Sequence, residues 1–201
     1  MTPPAPERPP VWFIDTSVLL SLAVDDGLRQ AVQAEIGTQP RVLLDVVFDE
    51  LERLASEGAP DIKSLAAAAL GQLGWLGTPV DTSDKVAAER VLDIQDVLRS
   101  GRPLKHAFEH WAESVIMCLG EQLQQTTAHF LSEDYNARVE SCHHGCVPLS
   151  VHKLLARMVR ARRLTPERAV EFADALMAAD RGKDYTAEDF VSGRLGRVGR
   201  P

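Results

Sequence analysis

The chain of 201 residues holds only three cysteines, an odd number without framework spacing, so a disulfide scaffold is excluded and a reducing compartment is expected. No apolar run approaches the ~18 residues that a membrane helix requires. The longest such run, Leu65–Leu70, is mostly alanine. Its 13 glycines and 12 prolines follow no collagen period, and 45% hydrophobic residues is too many for a disordered chain. Met1–Pro10 carries five prolines and no apolar signal core, which predicts a disordered lead-in rather than an export signal. There is no internal repeat and no interdomain linker. The expectation is a cytoplasmic protein with one domain over residues 11–192, followed by a mobile Gly/Arg tail over 193–201.

Positive charge is also scarce overall, with a formal net charge of -7, which argues against a protein that coats polyanions generally. The charge is unevenly placed. From Val151 onward there are eleven Lys/Arg against seven acids, whereas the first 150 residues hold eleven against twenty-two. An acidic, cation-binding region beside a basic surface is compatible with that division.

Four short apolar runs read as buried strands: Val11–Ile14, Arg41–Val47, Thr127–Leu131 and Cys146–Leu149. Helical patterns separate them, which implies an α/β fold with a mainly parallel sheet of four or five strands and right-handed crossovers. A long helical stretch, Pro60–Gln125, lies between the second and third runs and is divided at Pro79 and Gly101–Pro103. Helices are expected over Ser150–Arg163, over Thr165–Ala179 with Thr165 as cap, and over Thr186–Ser192.

Four acidic positions stand out. Asp15 follows the first strand directly, where open α/β sheets place ligands, although Asp15, Thr16 or Ser17 would equally serve to cap the next helix. On the helix after strand two, Val47, Leu51 and Leu54 share a face, and Glu50 lies about 65° from its centre. Glu50 therefore leans toward the body of the protein and needs a partner, a metal or a proton, unless it reaches solvent from the boundary. Glu113 lies roughly 130° from the centre of a stripe drawn through Phe108, Trp111, Ala112, Val115 and Leu119, so periodicity places it on a solvated face. Asp134, in Leu131-Ser132-Glu133-Asp134, follows the third strand and would also cap a helix beginning near Tyr135. Brought together, four acids would repel one another and call for divalent cations.

In this order the motifs resemble those of the PIN-domain nuclease family. Phe13-Ile14-Asp15-Thr16-Ser17 is similar to its opening motif, Glu50-Leu51 to its second, Glu113 with Ser114-Val115-Ile116 to its third, and Leu131-Ser132-Glu133-Asp134 with Ala137-Arg138 to its last. The likeness spans residues 11 to about 163. Compact members are shorter, so residues 60–101 look like a helical insertion. The resemblance implies a three-layer α/β/α fold and Mg²⁺- or Mn²⁺-dependent endoribonuclease activity. It implies Asp15, Glu50, Glu113 and Asp134 as catalytic metal ligands, with Thr16 and Ser132 orienting them or a phosphate from behind. Glu113 rests on the resemblance alone, and Glu133 competes with Asp134 for the fourth place. RNA is the implied substrate, a homodimer the implied assembly, and a cognate antitoxin a further partner, as for toxins of toxin–antitoxin pairs. The contrasting expectation is an inert PIN-like regulatory or protein-binding module, whose extra helices would dock a partner.

The basic residues of Val151–Arg163, among them Lys153, Arg157, Arg160 and Arg163, lie opposite Leu154, Leu155, Met158 and Val159. They form either an RNA-binding surface or an ordinary solvated helix face. Other signals carry less. Cys142-His143-His144-Gly145-Cys146 crowds four zinc-type ligands into one short segment, whereas structural zinc sites draw on separated pairs. His106 and His110 lack a third ligand motif, and a solvated polar face, or a supporting place near Glu113, suits them better. Trp75 and Leu76 read as core. Ser17 stands where a phosphoaspartate hydrolase would need a second Asp.

Overall fold

The computed structural model describes residues 9–100, 102–103, 105, 108–123 and 125–195. The expected lead-in up to residue 8, the tail beyond 195, Gly101 and His106 lie outside the described residues. The fold is a three-layer α/β/α arrangement around four parallel strands in the order β2-β1-β3-β4: β1 (Pro10–Ile14), β2 (Arg41–Val42), β3 (Thr127–Leu131) and β4 (Cys146–Leu149). Ten helices accompany the sheet among the described residues: α1 (Thr16–Leu22), α2 (Asp26–Ile36), α3 (Asp45–Glu57), α4 (Pro60–Gly71), α5 (Ala88–Arg99), α6 (Trp111–Gln122), α7 (Tyr135–Ser141), α8 (Val151–Arg160), α9 (Pro166–Ala178) and α10 (Ala187–Ser192).

Both faces of the central strands are covered. Trp12, Phe13 and Ile14 are all buried although successive side chains point to opposite faces, which is why the runs read as continuous rather than alternating. Trp12 pairs in register with His129, and their rings stack with centroids 4.4 Å apart. Phe130, Leu131, Val47, Leu51 and Ile116 belong to the same core, as do Leu154 and Leu155 of α8.

Strand two is shorter than the apolar run Arg41–Val47 predicts. Leu43 and Leu44 are buried, but Leu44 already heads α3, and the Asp45 carboxylate accepts from the Val46 N–H at 2.8 Å and from the Thr82 hydroxyl at 2.6 Å. A local carboxylate at the helix start thus overrides the apolar run. The helix read as Ser150–Arg163 closes at Arg160, with Ser150 as its cap and Arg162 in a left-handed conformation beyond it. Thr165 caps α9 and Thr186 forms a capping box with Asp189 on α10.

The chain leaves β1 toward β2 on one side, and the later strands β3 and β4 lie on the other. The order therefore reverses between β1 and β3, and the carboxyl ends at such a reversal are where sheets of this kind place ligands.

Candidate metal centre

Asp15 sits at that reversal. Its N–H continues the β1–β3 ladder by donating to Leu131 O at 3.0 Å, so its side chain emerges beside the end of β3. The carboxylate is 2% exposed, and Oδ2 accepts from Ser17 Oγ at 2.5 Å and from Ser132 Oγ at 2.9 Å. Asp15 heads α1 without a side-chain cap bond, so the competing capping role is not the one its oxygens fulfil.

The neighbouring acids come from three other elements. Glu50, on the first turns of α3, is half-buried and accepts from the Thr16 hydroxyl at 2.6 Å through Oε2, while Arg53 reaches only to 3.8 Å from Oε1. Glu113, in the first turn of α6, has a side chain 14% exposed and stands 3.5 Å from His110 Nδ1. Asp134 caps α7 by accepting from Ala137 N–H at 2.9 Å, and its own N–H donates to Ser132 Oγ at 3.1 Å. One ligand atom each from His110, Glu113 and Asp134 lies within 4.8 Å of the others. Ser132 links Asp15 with Asp134, and Thr16 links the start of α1 with Glu50. The four expected acids, Thr16 and Ser132 are thus linked by hydrogen bonds or lie within each other's fields at the carboxyl ends of β1 and β3.

Electrostatics follow from that crowding. Burial raises the Asp15 carboxyl well above the usual carboxylate range, and the charges of Glu113 and Glu50 push it further, against the hydrogen bonds from Ser17 and Ser132. Burial likewise raises Glu50, opposed by the Thr16 hydrogen bond and reinforced by the Glu113 charge. His110 is raised, chiefly by its hydrogen bond to Glu113 and against its partial burial, with Asp134 and Glu109 adding to the rise. Such a set gains by taking up protons or a cation.

Two expectations change here. The helical wheel puts Glu113 in solvent because it assumes a single apolar stripe along α6. Phe108 precedes α6 and is 58% exposed, while Ala112, Ser114, Val115, Ile116, Met117 and Cys118 are all buried. A helix buried on most sides has no single apolar stripe from which to measure. Of Glu133 and Asp134, it is Asp134 that lies beside His110 and Glu113, while Glu133 accepts from Val151 N–H at 2.8 Å.

Sequence reasoning gave His110 no more than a supporting place. It heads α6 in a left-handed conformation (φ 60°), and its backbone position is held by buried Gln95 of α5, which donates to Glu109 O at 2.6 Å. The stretch 60–101 therefore helps to position the site. The signal available in the sequence was the i, i+3 spacing of His110 and Glu113.

The basic helix is not one surface with this acidic cluster. α8 starts at the carboxyl edge after β4, but at 1.5 Å per residue Arg160 stands ~15 Å away along it. Arg163 Nη2 and Arg157 Nε lie 2.9 and 3.6 Å from Oε1 of Glu35, whose side chain is 1% exposed at the end of α2. These two cations answer a buried carboxylate while remaining 41% and 53% exposed, so an RNA surface through Arg157, Arg160 and Arg163 would lie apart from the acids. Lys153, in the first turn of α8, remains exposed near that cluster.

The 142–146 segment does not gather as a zinc site. His144 is bound to Glu121 at 2.8 Å and Glu140 at 3.2 Å, Cys142 is exposed, and burial pushes the Cys146 thiol up to about 12. Leu76 is buried and Trp75 packs against the core.

A scan against family models gives no match, and searches of curated proteins and of solved structures give none either.

Proposed function

We propose that the chain is a divalent-metal-dependent endoribonuclease of PIN type that hydrolyses RNA phosphodiester bonds. The observation that carries this reading is the crowding of Asp15, Glu50, Glu113 and Asp134 at the sheet reversal, with the buried Asp15 raised by its acidic neighbours. The donor set fits the ion: hard carboxylate oxygens suit Mg²⁺ and Mn²⁺, and the imidazole of His110 favours Mn²⁺. Asp15, Glu113 and Asp134 would hold the cation with His110, and Glu50 would complete the charge. When bound, Mg²⁺ or Mn²⁺ supplies Lewis acidity toward a phosphate oxygen and an attacking water. Ser17 and Ser132 both donate to Asp15 Oδ2, and Thr16 donates to Glu50, so these two acids need little reorganisation. No side-chain nucleophile is required.

The reading brings a cytoplasmic setting, a homodimer and a cognate antitoxin with it as further proposals. Among the described residues, no helix is long and apolar enough to cross a membrane. Exposed Phe108 beside Trp111, walling a small pocket of about 180 Å³ next to Glu50, favours a second reading, an inert protein-binding module. Asp15→Asn distinguishes the two. It preserves the acceptor for Ser17 and Ser132, and Mn²⁺-dependent RNA cleavage should fall by about 10³-fold or more with the fold retained by circular dichroism. A wild-type chain that binds Mn²⁺ and cleaves nothing supports the module instead.

A further inference from the structure

A cavity of about 680 Å³ is lined by Glu133 and Tyr135, the two residues that flank Asp134 in the chain. Tyr135, which follows Asp134, stands at its rim and is 66% exposed. The cavity and the acidic cluster share a wall: Arg138 Nη1 donates to Ser132 O at 2.6 Å, and Ser132 in turn holds Asp15. Arg181 reaches in from the turn after α9, where Nη2 donates to Ser17 O at 2.7 Å and Nε to Ser21 Oγ at 3.1 Å. Lys153 and Lys183 line the same cavity, are exposed, and make no ion pair among the described residues.

Four cations thus face a space that holds two acids, Glu133 and Asp180. Glu133 is committed to Val151 N–H and lies under the fields of Arg138 and Arg181, so the lining keeps a positive balance. Buried His152, 5% exposed, is also part of the wall, and its Nε2 meets no hydrogen-bond partner. An uncompensated polar atom beside unpaired lysines marks a place built for a polar, anionic occupant.

Resting on the nuclease reading, we infer that this cavity is a subsite for a single-stranded RNA segment adjoining the scissile phosphodiester, with Lys153 and Lys183 on its phosphates and Tyr135 stacked on a base. An acidic cluster repels the strand it must cleave, and a cationic cavity sharing its wall supplies the missing attraction. The flanking aromatic favours a nucleotide chain over a bare anion.

The test is fluorescence polarisation of a labelled, unstructured oligoribonucleotide with the full chain in EDTA, where no metal contributes. Lys153→Ala with Lys183→Ala should weaken binding about tenfold or more and reduce the log–log salt slope by about 1.4, two phosphate contacts on a single strand. Tyr135→Ala should weaken it several-fold. Lys153→Arg with Lys183→Arg should restore affinity, and Arg160→Ala with Arg162→Ala, at the far end of α8, should leave it within about twofold. Unchanged affinity in the double-alanine protein overturns the subsite, as does full displacement by adenosine monophosphate or inorganic phosphate at matching phosphate concentration. Mn²⁺-dependent cleavage is scored separately. Strand binding at these residues without cleavage keeps the subsite and removes the nuclease, whereas cleavage with affinity indifferent to them does the reverse.

Discussion

Among the described residues, two places put a histidine between carboxylates, and they differ in what they do with the charge. His144 has Glu121 on one nitrogen and Glu140 on the other, and Arg90 binds Glu121 at 2.5 Å. Every group there has a partner of opposite sign or a donor, and Glu121 is held below its ordinary range mainly by the Arg90 hydrogen bond. His110 faces Glu113 and Asp134, but Asp15 and Glu50 stand behind them with Arg53 only at the margin. Here Asp15 and Glu50 are raised, not lowered. A charge cluster that completes itself ties α5, α6 and α7 to the turn before β4; one left incomplete at a sheet reversal is available for a cation.

The comparison breaks most visibly under metal. If the His110 cluster takes Mn²⁺ and the His144 cluster does not, saturating Mn²⁺ at about 100 times its Kd should add ~2.7 kcal/mol to unfolding stability. Glu113→Gln should remove most of that gain and Glu121→Gln should leave it intact, as read by thermal melts with and without the ion. Equal loss in both variants would erase the distinction.

A smaller effect should appear in pH dependence without metal. Asp15 and Glu50 bind protons more tightly folded than unfolded, so their contribution to stability is greatest at low pH. It is lost as pH rises from the ordinary carboxylate range through the raised folded values. Glu121 works oppositely, contributing above the ordinary range and losing its effect as pH falls through its lowered folded value. In EDTA, melts from about pH 4.5 to about pH 7.5 should therefore favour Asp15→Asn over wild type increasingly as pH rises. A difference constant with pH would contradict the raised Asp15.

The smallest effect belongs to Arg90→Ala. Its ion pair with Glu121 is partly exposed, and its loss should cost no more than about 1 kcal/mol in urea unfolding, with no change in the Mn²⁺ response.

The sheet was readable because its strands are buried on both faces and appear as unbroken apolar runs; Thr127–Leu131 and Cys146–Leu149 match those runs to the residue. Asp15 and Asp134 were readable because acids directly after such strands fall at one edge of a parallel sheet. Strand two was overread, since Leu43 and Leu44 are apolar whether they end a strand or enter a helix. Glu113 and His110 depend on how α6 is wrapped by α5, which is a tertiary fact that no window of sequence contains. Glu35 is a further case: it lies about 60° from the centre of the Leu28, Val32 and Ile36 face, as Glu50 does from its own, but only the fold brings Arg157 and Arg163 to it.

Anomalous diffraction from crystals soaked in Mn²⁺ tests the central claim most directly. The account predicts a peak at the carboxyl ends of β1 and β3, contacted by carboxylate oxygens of Asp15, Glu113 or Asp134 and lost in Asp15→Asn. An ion bound instead by His144, Glu121 and Glu140, or no peak beside these acids at saturating Mn²⁺, would contradict it.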